Sequence, residues 1–545
     1  MDMDLLLGFI IAMTVTMALI PPLMRLAGRA RMLDQPETRK VHAAPIPRVG
    51  GIAMSIGVLL ALALLGHFDR SLQAFCAGIL VLLVFGIWDD RVTLTAGPKF
   101  LGQVIAVLIA MTWGGVSVAS ITVADRVPLE SWLACPLTFF FLIGATNAIN
   151  LSDGLDGLAG GMTLLCLGAL ALMAFTIGNS FVGPVALVTA GSILGFLRFN
   201  THPARVFMGD CGSQVLGFSV AVLSVALTQD PQAPLSAALP LLLLGVPVMD
   251  TLTVMTERVL SGRSPFKADR THLHHRLLAM GFRHHEAVMV IYALQALLFV
   301  AAWFLRYSPD WTVVLAYAAF AVAVIATMRV ARLRAWTVRV QGAGLENLPN
   351  HEATAASRQI LRRRAYRAGQ AIAAALILYG LVVVIRPSHG GHETELLASV
   401  SILLATNLAL RWRSDAANWL DRAGLYVSAV VAVYLDNHSA NSAGLHVFKL
   451  LLFLLLAVAI VLRLRWSADR QFTVNPLDLL VVFMAIAVPN LPGSMIGSQE
   501  IGAAAAKLLP LLYGIEALSN DYSARWRLLT VGVLGFLIAC LLRGA

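Results

Sequence analysis

Charged side chains are scarce in this sequence. Asp, Glu, Lys and Arg make up 13% of its 545 residues, while 58% are apolar; soluble domains carry about 25% charged residues. The shortage excludes an ordinary soluble globular protein and points to a polytopic membrane protein. Cysteine is also rare. The five present, Cys76, Cys135, Cys166, Cys211 and Cys540, show neither pairing nor metal-ligand spacing. A disulfide framework and a cysteine-based zinc site are therefore excluded. The opening MDMD lacks the basic flank of a cleavable signal peptide, and Arg25, Arg29 and Arg31 follow the first apolar run, so that run reads as an anchor. The net charge of +10 would suggest nucleic acid in a soluble chain. In a membrane protein its distribution matters more, and no nucleic-acid partner is expected.

Apolar runs predict an all-α polytopic membrane protein with about 11 spans in a first half and about 7 in a C-terminal extension. The first group lies at 5–24, 49–66, 71–88, 100–118, 132–149, 160–177, 181–197, 213–228, 235–254, 286–305 and 311–328. The second lies at 369–385, 395–410, 423–435, 445–462, 475–490, 501–516 and 527–542. Most Lys and Arg follow odd-numbered spans; Arg70, Arg126, Arg306, Arg386 and Arg543 lie on the other side, and Lys449 and Lys507 lie inside spans. The positive-inside rule then puts the amino terminus outside and the odd-span loops in the cytoplasm. The expected organisation is a membrane domain at 1–328, a basic cytoplasmic linker at 329–368 and a C-terminal membrane domain at 369–545. The linker arginines either touch anionic lipid or only fix topology. The extension shows no acid pair, His cluster or phosphate-type glycine loop, and no repeat relates the two halves.

Four polar constellations follow spans 3, 5, 7 and 9, which places all of them at the cytoplasmic ends of the helices. In GIWDDRVTLTAGPKF, Asp89 and Asp90 close a span and Lys99 opens the next. Adjacent acids cannot face one way on a helix, so the pair must split or lie in a loop. In NAINLSDGLDGLAGG, two amides, Asn147 and Asn150, and two carboxylates, Asp153 and Asp156, stand between apolar walls. Ionisable groups at membrane depth cost roughly 2.5–3.5 kcal/mol each on insertion scales, which favours a polar ligand or hard metal over a plain glycine-rich turn. In FNTHPARVFMGDCGSQ, Asp210 either caps the following helix or holds a metal. The loop SGRSPFKADRTHLHHRLLAMGFRHH carries His272, His274, His275 and Arg276 among further basic residues. Cations facing carboxylates and a divalent cation suit a polyanionic ligand such as a diphosphate; lipid headgroups are the plainer partner. His284 and His285 stand apart from the dense cluster and read as part of a basic juxtamembrane loop. The first cytoplasmic loop adds Lys40, His42 and Arg48 as one wall of the same site.

Together, RKVHAAPIPRVGG, GIWDDR with Lys99, NAINLSDGLDGLAGG, VFMGDCGS and HLHHR resemble, in order, the motifs of the polyprenyl-phosphate N-acetylhexosamine-1-phosphate transferase superfamily. The resemblance covers roughly 1–328, and HLHHRL resembles the bacterial branch that uses UDP-N-acetylglucosamine or a related hexosamine. It implies Mg²⁺-dependent transfer, with Mn²⁺ as a substitute, of a sugar-1-phosphate from a UDP-N-acetylhexosamine to undecaprenyl phosphate. UMP is released and a lipid-linked cell-surface polysaccharide such as an O-antigen is begun.

Carried over to this chain, the resemblance implies Asp210 and Asn150 as metal ligands. Asp89 and Asp90 would hold or deprotonate the lipid phosphate, and Lys99 would contact the diphosphate. Asp153 and Asp156 would lie near the nucleotide, with Asn147, Lys40 and Arg48 lining the substrate site. His272, His274, His275 and Arg276 would bind the sugar-phosphate. It further implies a bacterial inner-membrane location with a cytoplasmic site. The extension lies outside the family's usual length; docking of a flippase or later glycosyltransferase is one expectation for it. The alternatives are another UDP-sugar donor, including phospho-MurNAc-pentapeptide, or a secondary transporter. A transporter predicts acids near mid-span rather than at span ends, and the aspartate spacing of a CDP-alcohol phosphotransferase is absent.

Overall fold

A computed structural model describes residues 3–35, 45–64, 69–231, 235–264, 271–334, 336–338 and 355–384, with isolated positions between 429 and 514. The chain divides into two compact units, Met1–Ala343 with Asn475–Leu480, and Gly344–Val474 with Val481–Ala545. The first unit opens with α1 (Met3–Ala27), a short antiparallel pair β1 (Leu33–Asp34) and β2 (Ile46–Pro47), then α2 (Gly50–Leu64), α3 (Arg70–Val92) and α4 (Ala96–Thr112). A second antiparallel pair, β3 (Ser120–Thr122) and β4 (Arg126–Pro128), precedes α5 (Ser131–Leu151), α6 (Leu158–Thr176), α7 (Val182–Asn200) and α8 (Gly209–Thr228). The unit continues with α9 (Leu239–Leu243), α10 (Gly245–Leu260), α11 (Leu273–Ala279), α12 (His284–Leu305) and α13 (Asp310–Leu333).

Among the described residues, eight helices are long and apolar enough to cross a membrane: α1, α3, α5, α6, α7, α8, α12 and α13. The chain is a multi-pass, all-α membrane protein. The second and fourth expected spans fall on shorter apolar helices, α2 of 15 residues and α4 of 17. The ninth expected span, 235–254, is not one helix but two, parted at Leu244.

Proline explains the break. Pro247 has no N–H to offer the carbonyl of Leu243, four residues earlier. That carbonyl accepts instead from Gln295 Nε2 and Cys166 Sγ, both at 2.8 Å. Gln295 Oε1 takes the Val246 N–H at 3.3 Å, and Tyr317 donates its hydroxyl to the Gly245 carbonyl at 3.0 Å. An unsatisfied backbone group in hydrocarbon costs several kcal/mol, so these side chains make the break tolerable.

Helix α8 is the centre of the first unit, with 94% of its apolar window buried against 6% for α13. It touches α2, α3, α5, α6 and α7. Glycine lets two of these neighbours close in at its N-terminal turn. A Cβ on Gly86 of α3 would lie 2.3 Å from the Cys211 Cα, and one on Gly51 of α2 would lie 2.2 Å from the Gly212 nitrogen. Backbone-on-backbone packing therefore fixes the start of α8 beside the end of α3.

In the second unit, α14 (Ala355–Val384) carries RQILRRRAYR in its first half and runs into the expected span 369–385 as a single helix. Part of the expected linker is thus helix. Elsewhere in this unit Asp436 is buried and pairs with Lys449 and Lys507. The other six expected spans of the extension lie outside the described residues, apart from isolated positions.

Candidate active site

The end of α3 meets the start of α8, and the acid pair splits there as helix geometry demands, neighbours pointing about 100° apart. Asp90 Oδ1 accepts from the Asp210 N–H at 3.1 Å, and Oδ2 from the Cys211 N–H at 3.3 Å. It thus satisfies free N–H groups in the first turn of α8 from a neighbouring helix. Asp210 is not the cap of its own helix, and its side chain is left for other work. Asp89 points elsewhere, accepting from the Leu94 N–H at 2.7 Å.

Lys99 joins the two sides. Its Nζ lies 2.6 Å from Asp89 Oδ2 and 2.7 Å from Asp210 Oδ2. The Asp89 side chain is 3% exposed, whereas those of Lys99 and Asp210 are 29% and 34% exposed, so the cluster opens on one side. Asn150, from the end of α5, reaches the same turn of α8, its Oδ1 accepting from Ser213 Oγ at 2.6 Å. Asp210, Asp89 and Asn150 offer only oxygen, apart from the amide nitrogen of Asn150. That set fits a hard divalent cation, and the Lys99 ammonium between two carboxylates shows that the place calls for positive charge. Asn147, one turn away on α5, is engaged differently: it exchanges amide hydrogen bonds with Gln103 at 2.8 and 3.3 Å and donates to the Ile143 carbonyl. The structure does not bring its amide to the Asp210 cluster.

The HLHHR segment is α11 with its cap. Asp250 of α10 accepts from the Leu273 N–H at 2.7 Å and pairs with His272 Nδ1 at 2.9 Å. His274 is buried and docks on Gly154, where a Cβ would lie 2.2 Å from His274 Nε2. Burial, and then neighbouring His275, push His274 down to about 3, so it is neutral at pH 7. His275 tilts against it with ring centroids 4.2 Å apart. Arg276 is held by Glu257 at 2.6 Å and by the Thr271 carbonyl at 2.5 Å. Two constellations far apart in sequence therefore touch through Gly154.

Of the remaining expected residues, Asp153 is exposed in the turn after α5. Arg48 pairs with Asp34 and its backbone bridges to Phe207, just before α8. Lys40 lies outside the described residues. Asp156 is drawn to residues not expected to matter. Its Oδ2 lies 2.7 Å from His202 Nδ1, accepts from the Ala204 N–H at 3.1 Å, and lies 3.9 Å from His284 Nε2. Burial raises its carboxyl, but the His202 hydrogen bond, with help from His284 and Ala204, holds it below the ordinary carboxylate range.

Residues 72–228 match glycosyl transferase family 4. The chain is 36% identical over 310 residues to a probable undecaprenyl-phosphate N-acetylglucosaminyl 1-phosphate transferase of Bacillus subtilis, covering 56% of this chain and 86% of that one. The chain belongs to glycosyl transferase family 4. It is 33% identical over 359 residues to a decaprenyl-phosphate N-acetylglucosaminephosphotransferase of Mycobacterium tuberculosis, covering 60% and 88% of the two chains. With the undecaprenyl-phosphate alpha-N-acetylglucosaminyl 1-phosphate transferase of Escherichia coli K12 it shares 29% over 308 residues, 54% and 82% of the two chains. The family match runs from the third residue of α3 to the end of α8, so it contains Asp89, Asp90, Lys99, Asn150 and Asp210. This member of the family is accordingly a membrane-embedded sugar-1-phosphate transferase.

Sequence reasoning passed over several residues that shape this family member's site. Asp250 sat inside a predicted span, and an acid at such a place is itself a signal. Ser213 and Gln103 gave no local signal. His284 was assigned to a basic surface loop, yet it is packed against His202 with ring centroids 4.2 Å apart. Its partners lie far away in the chain, which is why no local pattern exposed it.

Proposed function

We propose that this protein transfers N-acetylglucosamine-1-phosphate from UDP-N-acetylglucosamine to undecaprenyl phosphate on the cytoplasmic face of a bacterial inner membrane. An oxygen of the lipid phosphate attacks the β-phosphorus of the donor, the bond to the α-phosphate breaks, and UMP leaves. The product begins a lipid-linked cell-surface polysaccharide. The observation that carries the reading is the Asp89–Lys99–Asp210 cluster, reached by Asn150 through Ser213.

Phosphoryl transfer asks mainly for positioning and charge neutralisation. Asp89, rather than Asp90, faces Lys99 and Asp210 and is the group suited to hold or deprotonate the lipid phosphate. Asp90 orients the start of α8 and hence Asp210. Lys99 is placed to exchange its carboxylate partners for diphosphate oxygens. Asp210, Asn150 and Asp89 would hold Mg²⁺, which when bound neutralises the charge of the diphosphate. The α11 histidines stand over the Asp153 loop, suited to the sugar-phosphate end of the donor.

The test is Mg²⁺-dependent UMP release from a panel of UDP-sugars with undecaprenyl phosphate as acceptor. UMP from UDP-N-acetylglucosamine is expected. Release from no N-acetylhexosamine donor overturns the reading.

A further inference from the structure

We propose that the second unit holds a buried site for a phosphate group, carried by a lipid or free in solution, built from Asp436, Lys449, Lys507 and Tyr379. The inference rests on these four side chains and not on the proposed function. All four lie outside the family match at 72–228.

The charges meet inside the protein rather than on its surface. Lys449 pairs with Asp436 Oδ1, and Lys507 Nζ lies 2.7 Å from Asp436 Oδ2. The side chains of Asp436 and Lys449 are 0% and 4% exposed, and that of Lys507 is 17% exposed. Tyr379 of α14 is buried too, and its hydroxyl faces Asp436. Apolar packing brings the same elements together. The Tyr379 ring meets Phe453 edge-on with centroids 5.1 Å apart. Positions 507, 511 and 514 are helical and share one face. A Cβ on Gly514 would lie 3.2 Å from Ile372 of α14 and 3.3 Å from Leu456.

Ionised side chains at membrane depth are costly, and those a chain keeps mark ligand and ion pathways. Replacing a buried ion pair by apolar residues is often neutral or stabilising, so packing alone gives no reason for a second lysine here. The graded exposure shows the open side, which is that of Lys507. A phosphate monoester carries about −1.5 to −2 at pH 7 and attracts Lys507 more strongly than the single charge of Asp436 does. Lysine, a point charge on a flexible stem, suits such an exchange. When Lys507 turns to the ligand, Asp436 keeps Lys449, and the Tyr379 hydroxyl donates to the oxygen that Lys507 leaves. The charge rule that orders the expected spans puts the end of 423–435 and the starts of 445–462 and 501–516 outside. Asp436, Lys449 and Lys507 lie close to those ends, and Tyr379 lies nearer the outer end of 369–385. The site therefore faces the outer leaflet, with Lys507 about 9 Å inside its span, in reach of a lipid phosphate.

The test uses the full chain in a maltoside detergent and phosphate-free buffer, titrated by calorimetry with inorganic phosphate alone and, separately, with short-chain phosphatidic acid. A binding event that survives Lys99→Met is expected. Lys507→Met should weaken it about tenfold or more, while Lys507→Arg should keep most of it. Tyr379→Phe, which leaves the Asp436–Lys507 pair intact, should weaken it about threefold to tenfold with an unchanged melting temperature. If Lys507→Met does not fold, Tyr379→Phe carries the comparison. Binding of the free ion makes the phosphate group itself the ligand, and binding of the lipid alone makes it a headgroup site. No binding that survives Lys99→Met, or undiminished binding in both Lys507→Met and Tyr379→Phe, overturns the proposal. Because the readout is binding, failure here leaves the UMP-release test untouched, and the reverse also holds.

Discussion

Two carboxylate clusters draw on the Asn147–Gly161 segment, one reached by Asn150 and the other built on Asp156, and their acids meet different partners. In one, Lys99 places a full positive charge between Asp89 and Asp210, with the lysine and Asp210 each about one-third exposed (29% and 34%). In the other, Asp156 faces two imidazoles, of which His284 is 11% and His202 39% exposed. An ammonium on a flexible stem can change partners when a more highly charged ligand arrives. Imidazoles packed ring against ring are held by their surroundings. The first cluster is built for exchange, whereas the second joins the turns after α5 and α7 through one hydrogen-bonded pair.

The sharpest way to break this comparison is to remove an acid from the first cluster. Asp210→Ala should lower UMP release by at least about 10³-fold, since a single electrostatic contact in a catalytic site is already worth about 10²–10³. Its elution and melting in detergent should match wild type; near-normal turnover would make Asp210 a bystander. Lys99→Met comes next. It leaves two carboxylates facing each other without their cation, and turnover should fall about 10²-fold, with added Mg²⁺ recovering part of the loss. Gly154→Ala tests the contact between the Asp153 turn and α11, which the proposed function puts at the donor. Its Cβ would lie 2.2 Å from His274 Nε2, and pushing the ring away should raise the donor KM about tenfold with kcat less affected. An unchanged KM would dissociate α11 from donor binding.

The smallest effect concerns acidity. His274, held at about 3 in the fold against about 6.5 in an unfolded chain, makes the unfolded state bind more protons between those values. Stability from this group is therefore full above about pH 6.5 and falls as pH drops through the window below it. From pH 6.5 to 5.5 the loss should be at most about 1 kcal/mol, visible as a lower melting temperature in wild type and a flatter profile in His274→Gln. Equal slopes in both proteins would remove His274 from the account.

Local rules made much of this molecule legible. The expected spans up to residue 328 fall on helices because hydrocarbon thickness leaves little choice, and the prediction that Asp89 and Asp90 must diverge follows from helix geometry alone. What stayed hidden depended on partners distant in sequence. Asp210 reads from the sequence as a cap or, given the other acidic loops, rather as a ligand; the structure has Asp90, 120 positions earlier, accept from the N–H groups at that helix start. Asn147 carried the same amide as Asn150, and only the approach of Gln103 separates their roles. The break at Leu244 was written in Pro240, Gly245 and Pro247, but apolar periodicity outweighed them. His284 was passed over because its meaning lies entirely in His202 and Asp156.

That broken span has a longer reach than its position suggests. Helix α10 carries Asp250 and Glu257, which grip His272, Leu273 and Arg276. Its own direction is set at the elbow, buried within the protein, where Gln295 and Tyr317 hydrogen-bond to the backbone around Leu244. An exposed elbow could straighten by trading these bonds for solvent; this one, with Leu244 fully buried, has no solvent to trade with. The aim of the α11 histidines is therefore decided remotely, by the Gln295 amide, and under the proposed function sequence drift at Gln295 is a route to altered donor preference that leaves every residue of the site in place.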